Sequence, residues 1–301
     1  MPTLDEYPDV VIQEIAKRLD YSTIREMKLV NRSVYATLSD PLLWIDLCER
    51  DHRIVPSRAF RKGLAKHALN DENCFGKLDF ERIWVKDPFR SNLVPPMLPS
   101  IETMKRDYGW TFTENSWTRM IVEEIPSDEH PEISRCIATS HSWGGRLVTI
   151  DLVKEGVPEW LLDHVRPRIV VSEMVRPRFD CASVYRMLAQ LLEEGEDANG
   201  RGAPLQRCRA VERTWPQWDP AKWERVEVEF DGYPAGMRKI AVGSEGKDKQ
   251  YWRGNYGAKF ANLQIRTEMP EEFRWLSAEE ADGNRERRQA MKRPADSSDT
   301  V

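Results

Sequence analysis

The chain lacks the features that would place it in several large functional classes. No apolar run approaches the ~18 residues that a membrane-crossing helix needs, and only 40% of its 301 residues are hydrophobic. Neither sign of charge dominates: 45 Lys+Arg stand against 50 Asp+Glu, a formal charge of −5. That balance argues against general binding to nucleic acid or anionic membrane, local basic patches aside. The five cysteines, Cys48, Cys74, Cys136, Cys181 and Cys208, are odd in number, widely spaced and without a CxxC pair. They fit reduced thiols of the cytosol or nucleus better than a disulfide framework or a zinc site. His52, His67, His130, His141 and His164 are scattered with no HExxH motif, so neither metal nor cofactor is expected. Ser140-His141-Ser142 lacks the GxSxG elbow, and no glycine loop resembles a P-loop. The opening Met1-Pro2-Thr3-Leu4-Asp5-Glu6 is acidic where a secretory signal is basic then apolar. The Asn31-Arg32-Ser33 sequon therefore reads as accidental, and the expected location is cytoplasmic.

Neighbouring acids do occur, at Glu123-Glu124 and Glu193-Glu194. A glycosidase would need two carboxylates ~5–9.5 Å apart across a sugar-sized cleft, whereas adjacent acids on a polar face are ordinarily just solvated. No residue stands out as catalytic, and the chain reads as a binding protein rather than an enzyme.

The first fifty residues carry a helical pattern. Val11, Ile12, Ile15 and Leu19 recur at 3–4 residue spacing behind Pro8. Ser22 or Thr23 can cap a second helix, with Glu26 completing a capping box and Ile24, Met27 and Val30 forming its apolar face. Asp40-Pro41 opens a third, with Leu43, Trp44 and Leu47. Three short helices bury too little surface to stand alone, so the unit needs a partner. Residues 51–106 are mixed: Arg58 to Leu69 is basic and can be helical, and the proline-rich Asn92–Ser100 reads as a spacer.

Beyond residue 107 the period changes to two. Val226, Val228 and Phe230 alternate with charged residues, as do Val148, Ile150 and Leu152 with polar ones. Ile169–Val171, Ile240–Val242 and Phe260, Leu263 and Ile265 are further strand candidates, and Glu159–His164 suggests a single helical turn. Gly144-Gly145, Asp231-Gly232-Tyr233-Pro234 and Gly254 with Gly257 supply turns. Spaced strands with turns between them imply an antiparallel sandwich. Ser183–Glu194 is ambiguous, because its Met, Leu, Ala and Gln favour helix. The charged tail 270–301 has too few apolar residues to fold and is expected to be disordered.

Eleven tryptophans are many for this length. Most should anchor the core, but indole also stacks on the apolar face of sugar rings. The segment Tyr251-Trp252-Arg253-Gly254-Asn255-Tyr256-Gly257 stands out. If it is extended, Tyr251 and Trp252 face opposite sides, one to the core and one to solvent. Its rings either pack inside the sandwich or form a ligand platform.

Two stretches resemble known families. Residues 7–48 run Tyr7-Pro8, then helix-spaced aliphatics, then Leu29-Val30-Asn31-Arg32, then Asp40-Pro41-Leu42-Leu43-Trp44. They resemble an F-box, with Tyr7 where leucine is usual. The resemblance implies docking on a Skp-type adaptor and, through it, a cullin-RING (SCF) ubiquitin ligase. It makes Pro8, Ile12, Ile15, Leu19, Leu29 and Val30 candidates for the adaptor interface, some of which would instead pack internally.

The second stretch carries many matches in register. They are Gly109-Trp110, Trp117, Ala138-Thr139-Ser140, Val148–Leu152, Leu161-Leu162-Asp163, Arg166–Val171, Arg178-Phe179-Asp180-Cys181, Tyr185, Trp223, Phe230, Tyr233-Pro234, Gly236, Gln250-Tyr251-Trp252 and Tyr256-Gly257. These resemble the F-box-associated (FBA) domain of the glycoprotein-recognising F-box proteins. The resemblance implies an α + β chain of two domains: a small three-helix F-box at 4–50 and a galactose-binding-like antiparallel β-sandwich at 107–269. A partly helical linker at 51–106 joins them. It makes Ser183–Glu194 a strand. It also implies binding of the inner core of high-mannose N-glycans at Asp180, Tyr251, Trp252 and Arg253, the last where the family has lysine. The expected role is a non-catalytic substrate receptor that presents glycoproteins for ubiquitination and ER-associated degradation. The alternative is the same ligase role with recognition of a protein surface independent of glycan.

Overall fold

The computed structural model describes residues 7–51, 53, 78–95, 97, 100–113, 119–198 and 204–270. The basic stretch Arg58–Leu69, the match at Trp117 and the tail beyond Pro270 lie outside them.

The N-terminal stretch folds into four helices rather than three: α1 (Asp9–Ala16), α2 (Tyr21–Met27), α3 (Arg32–Leu38) and α4 (Pro41–Arg50). The additional helix α3 starts at Asn31, whose side chain caps it by accepting the Val34 N–H at 2.9 Å. The cap of α2 is Asp20, not Ser22 or Thr23. Its carboxylate accepts the Thr23 N–H at 3.0 Å and draws the Ser22 hydroxyl at 2.5 Å. Those bonds, Ser22's first, hold the Asp20 carboxyl at about 2. A carboxylate also complements the positive end of the helix, which a hydroxyl does not. Asp40 caps α4 as its spacing predicts, accepting the Leu42 N–H at 2.9 Å ahead of Pro41.

The partner this unit needs is partly supplied by the chain itself. Ile12, Ile24, Leu38 and Trp44 share a core with Phe80, Ile83 and Trp84 of α5 (Phe80–Lys86) and with Trp160, Leu161 and Met269. Trp44 and Trp84 meet at 5.5 Å between centroids, and Trp84 donates its indole N–H to Asp51 at 2.7 Å. Next, α5 is tied to the loop after residue 151 by Arg82 donating to the Lys154 carbonyl at 3.0 Å. A Cβ at Gly156 would lie 2.7 Å from Lys86 Cβ, so that contact needs glycine.

After helix α6 (Ile101–Tyr108), ten strands among the described residues form two antiparallel sheets. The strands are β1 (Thr111–Thr113), β2 (Ile121–Glu124), β3 (Arg135–Ala138), β4 (Gly144–Asp151), β5 (Arg168–Arg176), β6 (Ser183–Glu193), β7 (Cys208–Trp215), β8 (Glu224–Phe230), β9 (Met237–Asp248) and β10 (Lys259–Glu268). One sheet is ordered β1-β4-β9-β6-β7 and the other β2-β3-β10-β5-β8. Val226, Val228 and Phe230 point inward as alternation predicts. β6 is a strand against its local propensity: Tyr185, Met187, Ala189 and Leu191 enter the core at period two, and β7 and β9 bond both its edges. The single turn expected at Glu159–His164 is a wide one at Leu161–Val165, closed by Arg166 N–H on the Leu161 carbonyl at 2.7 Å.

Three features depart from the reading of the sequence. Gly144 and Gly145 lie in β4 rather than in a turn. A Cβ on Gly145 would sit 2.8 Å from Glu245 Cβ, so glycine lets β4 and β9 close up. The Asn92–Ser100 stretch is not a free spacer. β10 bulges between Ala261 and Gln264, beyond the reach of the short β3. Asn92 fills that gap, accepting the Ile265 N–H at 2.9 Å and donating to the Leu263 carbonyl at 3.2 Å, while Leu93 and Val94 enter the sandwich core. Lastly, the core holds a buried ionic cluster. Glu173 of β5 pairs with Arg146 of β4 and accepts the hydroxyls of Tyr185 at 2.5 Å and Ser244 at 2.6 Å. It links one sheet to the other through charge-assisted bonds. Burial and the Glu173 charge push the Tyr185 phenol well above its ordinary value.

Candidate functional site

Four loops meet at the end of the sandwich remote from α5: β3–β4, β5–β6, β7–β8 and β9–β10. Backbone bonds lace them together, among them Asp248 N to Ser140 O at 2.9 Å, Lys249 N to Ala182 O at 2.8 Å and Trp218 N to Phe179 O at 2.9 Å. Tyr251, Trp252 and Arg253 lie on the β9–β10 loop and Asp180 on the β5–β6 loop.

The ring-bearing segment is a turn, not an extended strand. Tyr251 has φ +61°, a left-handed conformation that a residue with Cβ adopts only when held. Its N–H donates to the buried Asp248 carboxylate at 2.6 Å, which closes the turn. The turn throws both rings outward, so the expected split of one ring to the core and one to solvent does not occur. Tyr251 is 72% exposed and Trp252 38%. Gly254, at φ +122°, brings the chain back; a Cβ there would strike the Tyr256 ring at 2.9 Å. Ser140 anchors the return by donating to the Gly254 carbonyl at 2.6 Å, and Asn255 does so by donating to the Arg119 carbonyl at 2.8 Å.

The sequence-predicted residues are joined through intermediaries. Trp252 meets Tyr256 edge to face at 5.5 Å. Arg178 lies 4.1 Å over the Tyr256 ring and donates from Nε to Asp180 Oδ1 at 2.8 Å. Asp180 is half-buried, and among the described residues no donor engages its Oδ2. Arg253 is exposed on the same turn. Such a surface can stack an apolar ring face and exchange hydrogen bonds with hydroxyls. Asp248, Ser140 and Arg178 were not read from the sequence as parts of a site. The one local signal for Asp248 is its place three residues before Tyr251, the spacing of an Asp-closed turn.

At the other end, the helical unit sorts its aliphatics. Ile12 is buried in the core and Leu19 is half-buried. Pro8, Ile15, Leu29 and Val30 face solvent, Leu29 at 81% and Val30 at 60% exposure in the turn after α2. Val10, Tyr35 and Leu42 are exposed as well and lie outside the six interface candidates that the resemblance supplies.

The paired acids do not converge on a cleft. Glu123 pairs with Lys259, Glu124 with Arg135, Glu193 with Arg207 and Glu194 with Lys239. Successive residues of a strand also point to opposite faces, which separates Glu123 from Glu124. The buried thiols are suppressed as nucleophiles: burial pushes Cys48 and Cys136 up to about 12 and Cys181 to about 11.

Comparison with known proteins adds four findings. A family model described as the F-box associated region matches residues 84–267, a span that opens in α5 and takes in the Asn92 staple. F-box only protein 6 of Mus musculus is 28% identical over 271 residues, covering 88% of this chain and 83% of that protein. F-box only protein 6 of Homo sapiens is 32% identical over 163 residues, 52% of this chain and about half (54%) of that protein. Among solved structures, TmCBM61 in complex with beta-1,4-galactotriose aligns over 59% of this chain and 99% of its own, at 10% identity and TM-score 0.37.

Proposed function

The chain belongs to the F-box associated region family, and from that premise we propose that it is the substrate-recognition subunit of an SCF-type ubiquitin ligase. The helical unit docks a Skp-type adaptor through Pro8, Ile15, Leu29 and Val30, with Ile12 bracing them from within. Exposed aliphatics on α1 and in the turn after α2 are what a partner helix or groove would cover. The sandwich takes N-glycosylated, high-mannose proteins reaching the cytosol, as in ER-associated degradation. Trp252 stacks on a GlcNAc ring, while Asp180 Oδ2, Tyr251 and Arg253 bond hydroxyl or N-acetyl groups. Ubiquitin transfer falls to other subunits, so this chain needs neither catalytic group nor cofactor.

The observation that carries the substrate half is the left-handed turn at Tyr251, which holds the rings of Tyr251 and Trp252 in solvent at the loop end that also carries the half-buried Asp180. The test is titration of the full chain with a high-mannose glycopeptide and with the same peptide after enzymatic deglycosylation. Binding should require the glycan and be lost in Trp252→Ala. Equal binding of both peptides would favour recognition of a protein surface instead.

A further inference from the structure

A second pair of aromatic rings stands in solvent at the same loop end. Phe179 and Trp218 are 57% and 63% exposed and meet edge to face at 5.4 Å. They come from different loops, β5–β6 and β7–β8, and are held together deliberately. Trp218 has φ +71°, a left-handed conformation unfavourable for a bulky residue. Its N–H donates to the Phe179 carbonyl at 2.9 Å, and the preceding Gln217 donates its amide to the Asp180 carbonyl at 2.9 Å. Backbone strain that presents a ring to water, rather than burying it, points to a use for that ring.

We propose that Phe179 and Trp218 form a second carbohydrate subsite, taking a further pyranose ring of the same glycan whose inner residues lie on Tyr251 and Trp252; the inference rests on the glycan reading above. Continuity carries it. Trp252 touches Tyr256, Arg178 stacks on Tyr256 and bonds Asp180, and Asp180 adjoins Phe179, which touches Trp218. The series runs from Trp252 to Asp180 by side-chain contacts, passes to Phe179 through the backbone, and ends at Trp218. Apolar ring faces alternating with charged hydrogen-bonding groups suit sugars, whose rings have apolar faces and polar rims. A hydrophobic peptide side chain would gain nothing from the intervening charges and would leave them poorly solvated.

The experiment is calorimetric titration of the full chain, bound to its adaptor, with N,N′-diacetylchitobiose and with a free high-mannose oligosaccharide. Phe179→Ala and Trp218→Ala should weaken the oligosaccharide about three- to tenfold and change the disaccharide by less than about twofold. Trp218→Phe should keep most of the affinity, and Trp252→Ala should weaken both ligands. Unchanged affinity for the oligosaccharide in both alanine variants would overturn the subsite. Equal weakening of both ligands would overturn it too, since the pair would then only prop Asp180. A loss seen with a glycopeptide but not with the free glycan would assign the rings to polypeptide. Failure of the wild-type chain to bind either sugar would remove the glycan reading itself, a result distinct from all of these.

Discussion

The two ends of the molecule leave different kinds of apolar group in water. At the helical end they are mainly aliphatic: Ile15, Leu29, Val30 and Leu42 sit on short helices or in the turns between them, with Tyr7 and Tyr35 the exposed aromatics. At the loop end they are aromatic, and they alternate with Arg178, Asp180 and Arg253. Aliphatic groups offer area without direction and match another apolar protein surface. Aromatic faces beside charged groups offer area with direction and match a ligand that is itself two-faced. The interiors differ in the same sense. The helical core keeps its ion pair at the rim, where Lys28 lies over the Trp44 ring and meets a partly exposed Glu81 at 2.5 Å, whereas the sandwich buries a charged pair, Arg146 and Glu173, between its sheets.

The comparison can be broken most forcefully at Glu173. Glu173→Ala leaves Arg146 buried without its carboxylate and should destabilise the chain by about 3–5 kcal/mol, read as a lower denaturation midpoint. A loss under about 1 kcal/mol would mean the pair contributes little. At the helical end, Leu29→Asp with Val30→Asp should abolish adaptor capture, a loss of at least about 2 kcal/mol, while leaving the melting temperature unchanged because both residues are exposed. Retained capture would place the interface elsewhere. Asp248→Ala removes the acceptor that closes the Tyr251 turn and should weaken glycan binding by about 1–3 kcal/mol. Asp248→Asn keeps an acceptor and should lose less; equal losses would contradict a positioning role.

The smallest effect expected is electrostatic. Burial raises the Asp163 carboxyl, but the Arg238 pair at 2.8 Å and the Gly236 N–H at 2.7 Å outweigh it and hold it below its ordinary value. A carboxyl lowered in the folded state adds stability above its unfolded pKa of about 4, and that stability is lost as pH falls through the folded value. For a partly exposed group it is under about 1 kcal/mol. The stability gap between wild type and Asp163→Asn should therefore be present at neutral pH and close in acid. A constant gap would assign the effect to packing.

Much of the fold was legible because burial writes a period into the chain. Val226, Val228 and Phe230 announce a strand with no knowledge of its neighbours. Ser183–Glu194 does so only weakly, since its residues suit a helix and two flanking strands decide the outcome. Asn31 stands in a sequon, but its physical role is a helix cap, and the apolar pattern alone does not separate α3 from its neighbours. Asn92 looks like a loop residue because its partners, Leu263 and Ile265, lie far along the sequence. Glu173 carries no local sign of Arg146 or Tyr185 for the same reason. At the candidate site, the assignment of 251–253 and Asp180 comes from the family pattern and not from any local physical signal. The outward throw of both rings was not, because it depends on one bond from Asp248 to a backbone N–H.

The central claim is that one chain carries two independent docking surfaces and joins what they hold. The most direct measurement immobilises the adaptor, adds the full chain and then a high-mannose glycoprotein, and records what is retained. The glycoprotein should be retained only when the chain is present, and Leu29→Asp and Trp252→Ala should each abolish its retention, the first by losing the chain and the second by losing only the cargo. Retention that survives Trp252→Ala and deglycosylation together would contradict the account.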